Sequence, residues 1–218
     1  MKSTLAFCIG ALSLIDAHAQ EFVVKAGVSM SSVSVSGDFA HPGYEFTMKA
    51  GFTAGLAVAW PVAEKFAFQA EALFIQKGWE DKLEVDGVHH SDVFTINYME
   101  IPLLMKYKIS PFFVNAGAFL ASGIGGSYTS YDGFPGSESE GKIVFGDWPS
   151  TGSGSEYLIH NRFDAGFIVG GGIKIKKLVV VDVRYERALT NFMDSEGYYK
   201  TKNFSFVLTA GVCFARSK

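Results

Sequence analysis

A chain of 218 residues with 48% hydrophobic content is sized for one domain, and 19 Lys and Arg against 22 Asp and Glu leave a net charge of −3. That balance excludes the basic field needed to displace counterions from nucleic acid, so no nucleic-acid partner is expected. The 20 Phe, 9 Tyr and 24 Gly, with no long runs of Ala, Glu, Leu and Lys, favour strands and turns.

The first element reads as a secretory leader over residues 1–19: Lys2 gives a positive start, Leu5 to Ile15 an apolar stretch, and Ala17-His18-Ala19 a small-x-small cleavage site. The apolar run is too short for a spanning helix. Cys8 does not fit a lipidation site, because bulky Phe7 precedes it and it lies too early. Cleavage leaves residues 20–218 as a single expected barrel domain with Cys213 as its one cysteine, so no intramolecular disulfide is expected.

After Gln20, small, polar or charged residues interrupt every apolar run before it reaches the length of a membrane helix, and alternation of period two takes over. Segment 22–35 is a noisy first strand. Residues 47–60 are clearer: Met48, Ala50, Phe52, Ala54, Leu56, Val58 and Trp60 share one face, opposite Lys49, Gly51, Thr53, Gly55 and Ala57. Segment 66–79 is noisy again. In 97–109, Met99, Ile101, Leu103, Met105, Tyr107 and Ile109 oppose Tyr98, Glu100, Pro102, Leu104, Lys106 and Lys108. Segment 112–128 is the third noisy strand. Residues 162–176 and 179–185 alternate with Asp164, Asp182 and Arg184 on the polar side, and Glu186 continues that register. The last strand, 204–214, puts Phe204, Phe206, Leu208, Ala210, Val212 and Phe214 on one apolar face; this pattern also suits the C-terminal signal read by the barrel assembly machinery.

The connections alternate in length. Residues 61–64, 110–111 and 176–177 are tight turns, whereas 36–45, 80–93, 129–160 and 193–201 are long. That asymmetry is expected of an outer-membrane barrel with short periplasmic turns, longer outer loops and both mature termini in the periplasm. A soluble lipocalin-like barrel would also alternate, with its apolar face inside. Long strands, an apolar face almost free of charge, and an opposite face rich in Gly, Ser and Ala favour the membrane. Trp60, Trp79, Tyr107 and Phe214, near strand ends, read as interfacial girdle residues. The expected fold is all-β: an eight-stranded antiparallel up-and-down transmembrane β-barrel.

The segment Tyr98-Met99-Glu100-Ile101-Pro102-Leu103-Leu104-Met105-Lys106-Tyr107 resembles the Y-L-E-I-P-L-L-L-K-Y strand of the porin family of outer-membrane barrels common in Bacteroidetes. Phe68 to Gly78 is similar to that family's L-Q-P-E-L-L-Y-S-Q-K-G strand, with Ala70 in place of Pro. Phe167 to Ile173 and Val181-Asp182-Val183-Arg184-Tyr185 resemble its glycine-rich and D-x-R-Y strands. The resemblance implies an eight-stranded outer-membrane barrel. It does not imply a pore, because the family is defined by architecture.

Motifs that might carry chemistry are weak. Residues 136–142 nearly spell a phosphate-binding loop, but Ile143 stands where Ser or Thr should meet Mg²⁺. Gly170-Gly171-Gly172 lies inside an alternating strand rather than opening a helix, which favours close packing over dinucleotide binding. His89 and His90, with Asp86 and Asp92, contain suitable metal ligands, yet adjacent side chains on an extended chain point apart. His41, His89, His90 and His160 fall in or beside loops, and no Ser or acid spacing selects any of them as a catalytic base. Asn203-Phe204-Ser205 is a glycosylation acceptor in form only, inside the last strand. No catalytic residue, metal or cofactor is expected.

The polar register does gather charge. Glu71, Glu100, Lys106, Asp182, Arg184 and Glu186 all face the expected lumen, and counting up from the turns puts Glu71 and Arg184 at similar heights on opposing strands. An eight-stranded barrel is just wide enough inside for side chains to fill, so a hydrogen-bonded plug around Arg184 is expected rather than an ion path. The expected role is structural, surface-interacting or assembly-related. The alternatives are a small pore and a rim-located lipid hydrolase. Expected partners are outer-membrane lipid, the barrel assembly machinery during insertion, and an extracellular ligand through the loops.

Overall fold

Alternation commits each segment to the extended chain, and where one face is apolar throughout, a one-residue slip in pairing would turn that whole face inward. Register is therefore strongly specified. The computed structural model describes residues 21–37, 44–85, 88–132, 137–146, 156–159, 161–176, 178–195 and 199–215. The expected leader, His41, Asp86, Gly136, His160 and Lys177 lie outside the described residues.

The strands are β1 (Glu21–Gly37), β2 (Tyr44–Pro61), β3 (Phe66–Val85), β4 (Val88–Ile109), β5 (Phe112–Tyr131), β6 (Glu138–Phe145), β7 (Glu156–Ile159), β8 (Phe163–Ile175), β9 (Val179–Ala188), β10 (Met193–Ser195) and β11 (Tyr199–Ala215). Eight of them close a ring in the order β1, β2, β3, β4, β5, β8, β9, β11. All ring pairings are antiparallel, and β11 returns to β1 from Glu21↔Ala215 to Gly37↔Tyr199. The barrel is the expected up-and-down eight. Off the ring, β6 pairs with the outer part of β5, β7 pairs in parallel with β6, and β10 pairs with β11.

The apolar face points outward. Leu56, Met99, Ile101, Leu103, Leu120, Phe163, Leu208 and Phe214 are all exposed. A continuous band of such residues around a monomer would be an aggregation surface in water and is the correct surface for lipid. This is the reverse of the lipocalin-like alternative. Inside, Val23, Ala57, Phe113, Val180 and Cys213 form a small apolar cluster towards the turn end. A larger one, including Ile75, Trp79, Phe94, Ile96, Tyr98, Phe119 and Phe192, fills the loop end. The glycines of β8 allow this packing: a Cβ on Gly172 would lie 2.2 Å from the Val181 carbonyl oxygen and 2.6 Å from the Phe113 ring. No dinucleotide-binding turn exists there.

Three expectations are corrected. Residues 80–93 are not a loop, because β3 and β4 stay paired up to Val85↔Val88 as an extension of the barrel wall, flanked by β2 as far as Tyr44↔Leu83 and by β5 as far as Ser91↔Tyr131. Strand pairs also occupy part of 129–160 (β6 and β7) and of 193–201 (β10 with β11). Trp79 is not a girdle residue: it shares the inward parity of Glu71, Leu73, Ile75 and Lys77, is buried, and stacks on Phe94 with ring centroids 4.5 Å apart. The poor alternation of 112–128 also has a cause. Between Asn97↔Gly125 and Tyr98↔Gly123 the pairing slips by one residue, Ile124 is extra and exposed, and Gly125 takes a φ of 141° that favours glycine.

In the extension, Asp81 on β3 faces Asp92 on β4. A strand crosses the hydrocarbon in about 9–11 residues, so β3 has left it well before Asp81. Partial burial raises the Asp81 carboxyl, and the Asp92 carboxylate raises it further, to about 6 from an ordinary 3.8. A carboxyl raised in the folded form favours folding at low pH. Its stabilisation is complete below 3.8 and is lost as pH rises through about 6. Amide hydrogen exchange in the extension, corrected for intrinsic rates, should show greater protection at the acid end of this window. Asp81→Asn should flatten the dependence; unchanged dependence in that variant would refute the assignment.

Candidate functional site

The interior between the two apolar clusters is built from charge. Along β9 the inward residues run Val180, Asp182, Arg184, Glu186, Ala188, passing from the lower cluster to the upper one. β9 and β3 are four strands apart around an eight-strand ring, so Arg184 points straight across the lumen at Glu71. The guanidinium grips that carboxylate in a fork, with Nη1 donating to Oε2 at 3.0 Å and Nη2 to Oε1 at 3.1 Å. Nη2 and Nε also donate to Asp182 Oδ1, at 3.0 and 3.2 Å. The planar fork suits two carboxylates at once, which an ammonium cannot do with the same geometry.

Lys25 on β1 completes this lower group. Its Nζ donates to Asp182 Oδ2 at 2.9 Å and lies 3.3 Å from Glu71 Oε1, while the Gln69 amide donates to Glu71. The cations Lys25 and Arg184 balance the carboxylates Glu71 and Asp182, so the group is neutral as a unit. Neutrality matters because an unpaired charge buried in a low-dielectric interior costs several kcal/mol, on the order of 3–5.

A second group lies towards the loops. Lys77 donates to Glu100 Oε2 at 2.7 Å and lies 3.2 Å from Glu186 Oε2, beneath the Phe119 ring at 4.3 Å from its centroid. One cation thus serves two carboxylates, and Glu100 Oε1 and both Glu186 oxygens accept no hydrogen bond. Asp164 is held by neutral donors instead, the Thr190 hydroxyl at 2.6 Å and the Asn203 amide at 3.0 Å. Arg184, Glu100 and Glu186 are each 1% exposed and Lys77 2%. Water does not reach the middle of the barrel.

Five of the six residues singled out in the sequence meet in this network: Glu71, Glu100, Asp182, Arg184 and Glu186. Lys106 does not. It lies nearer the turn end, over the Phe113 ring at 4.2 Å. The sequence reading missed Lys25, Lys77 and Asp164. Parity already put Asp164 in the polar register, and Lys77 shares the parity of Glu71, so counting by twos from Glu71 would have found it.

The other motifs fall elsewhere. Residues 138–142 of the near phosphate-loop lie on strand β6. His89 Nδ1 lies 3.6 Å from Glu84, and His90 Nδ1 3.6 Å from Asp132 just past the end of β5, so each histidine meets one carboxylate. Among the described residues, no group of three or more His, Cys, Asp and Glu is placed to hold a metal.

A family model described as "Outer membrane protein beta-barrel domain" matches residues 16–194. Among solved structures, Ail, the attachment invasion locus protein of Yersinia pestis, in complex with the heparin analogue sucrose octasulfate, is 14% identical, with 90% of this chain and 99% of that chain covered and a TM-score of 0.45. Neisserial surface protein A is 12% identical, covering 88% and 97%, with a TM-score of 0.48. The outer membrane protein OprG from Pseudomonas aeruginosa is 14% identical, covering 90% and 97%, with a TM-score of 0.42. No curated protein matches the chain.

Proposed function

Matched over residues 16–194, the chain belongs to the outer-membrane β-barrel domain family, and on that premise we propose that it is a closed, non-enzymatic barrel with a structural, surface-interaction or assembly role. It is an integral protein of the bacterial outer membrane. Within the family, the Tyr98 to Tyr107 strand favours membership of the porin-family barrels of Bacteroidetes. The short turns between β2 and β3, β4 and β5, and β8 and β9 belong in the periplasm on this reading, as do both termini of the mature chain after removal of residues 1–19. The outer ends, including β6, β7 and the β3–β4 extension, are the surface available to an extracellular ligand.

The observation that carries the proposal is Arg184, 1% exposed at the centre of the lumen and forked onto Glu71 from the opposite wall. A pore needs a continuous wet path, and here paired charges and apolar side chains occupy the cross-section. The protein should give no steady conductance in planar bilayers. Large, stable single-channel steps would overturn the proposal in favour of a small passive pore. A rim-located lipid hydrolase is the weaker alternative: His89 and His90, on the outer extension, each lie 3.6 Å from a carboxylate rather than beside a hydroxyl.

A further inference from the structure

Below the charge network, at the turn end of the barrel, the strand ends enclose a cavity of about 410 Å³. Its polar wall is Lys106, Lys108, Lys174, Ser110 and Glu21. Three ammonium groups thus face one carboxylate, and Lys174 already holds that carboxylate, its Nζ 2.8 Å from Glu21 Oε1. The cavity carries a surplus of positive charge.

Lys106 is the informative residue. It is 9% exposed, and no carboxylate of the described residues lies within 4.0 Å of its Nζ. Its close contact is the face of the Phe113 ring. Lysine is almost never this buried unless it is paired, and a ring face offsets only part of an ammonium's lost hydration. Elsewhere in this barrel, Lys25 and Lys77 each meet two carboxylates. Of the buried lysines among the described residues, Lys106 alone has no carboxylate partner, and it lines the cavity beside Lys108 and Ser110.

We propose that this cavity binds a phosphate group, either as the free ion or as the headgroup of an anionic phospholipid. A tetrahedral oxyanion presents acceptors in several directions. That geometry suits donors arriving from β4, β8 and the turn after β4, and lysine serves as a point-charge partner for phosphate. The volume exceeds a bare phosphate ion and leaves room for an attached glycerol. Phe112, beside the cavity and 58% exposed on the lipid side, places the mouth at the membrane surface. The lipid source rests on the membrane reading above, whereas free-ion binding stands without it.

The test uses the full mature barrel in phosphate-free maltoside micelles, with its lysines ¹³C-methylated and inorganic phosphate titrated in. Saturable shifts of Lys106 and Lys108, with Lys82 on the extension as an unshifted reference, are the expected result. Lys106→Met should weaken the binding about tenfold or more. Lys108→Gln, at a half-buried position, gives the same reading should Lys106→Met fail to fold. In a second arm, barrels from phosphatidylcholine nanodiscs doped with phosphatidylglycerol are examined by native mass spectrometry. Phosphatidylglycerol retained by the parent and lost in the variant, without a response to inorganic phosphate, assigns the lipid-borne group. The converse assigns the free ion. Absence of both, or equal unsaturable shifts of all lysines, overturns the proposal.

Discussion

Arg184→Ala should destabilise the barrel by about 3–5 kcal/mol, the usual cost of leaving buried partners without their counter-charge. Removing the guanidinium takes away four donor contacts at once, two to Glu71 and two to Asp182, and leaves Lys25 alone against two carboxylates. Urea unfolding in lipid vesicles, followed by tryptophan fluorescence, measures the loss. Arg184→Met with Glu71→Gln should be less damaging than Arg184→Met alone, because the second change removes a charge the first has stranded. An Arg184→Ala barrel as resistant to urea as the parent would mean that the network contributes nothing to holding the wall together.

Leu103→Arg should cost about 2–4 kcal/mol, and Phe112→Arg only about 0–1, since the penalty for a cation on the lipid face falls from the bilayer midplane to its surface. Leu103 is 42% exposed on the outer face of β4, six residues above Ile109 at the turn end, which puts it near mid-depth. Phe112 begins β5 just across that turn. The same unfolding assay separates the two variants. Equal costs at both positions would place the hydrocarbon band elsewhere along the strands.

The strands and their facing were legible where lipid enforces a pattern. In 97–109 every outward residue from Met99 to Ile109 is apolar, so parity alone put Glu100 inside and Leu103 outside. The β3–β4 extension was not legible, because above the membrane neither face needs to be apolar: Glu80, Asp81, Lys82 and Glu84 put charge on both parities. The β5 bulge broke the count for a different reason, shifting parity by one at Ile124. Of the network, composition was readable and partnership largely was not. Glu71 and Arg184 are separated by 113 positions and meet only across the closed ring, and Lys25 sits in a strand whose serines and valines fall on both faces. Lys106 shares the register of the network but not its height, which parity does not encode.

The ring pairing of β1 with β11 bears on how the molecule is made. Lys25 comes from β1, Glu71 and Lys77 from β3, Glu100 from β4, and Asp182, Arg184 and Glu186 from β9. In an unclosed sheet, β1 and β9 belong to opposite flanks, so Lys25 is parted from Asp182 and Arg184 from Glu71. Balancing the lower charge group and joining the last strand to the first are therefore linked. The cost of unpaired charge in the lower group penalises the open form. Contacts so distant along the chain must wait for most of it to be in place, which makes for slow, all-or-none assembly. The same residues that fill the lumen thus favour the closed seam over the open sheet.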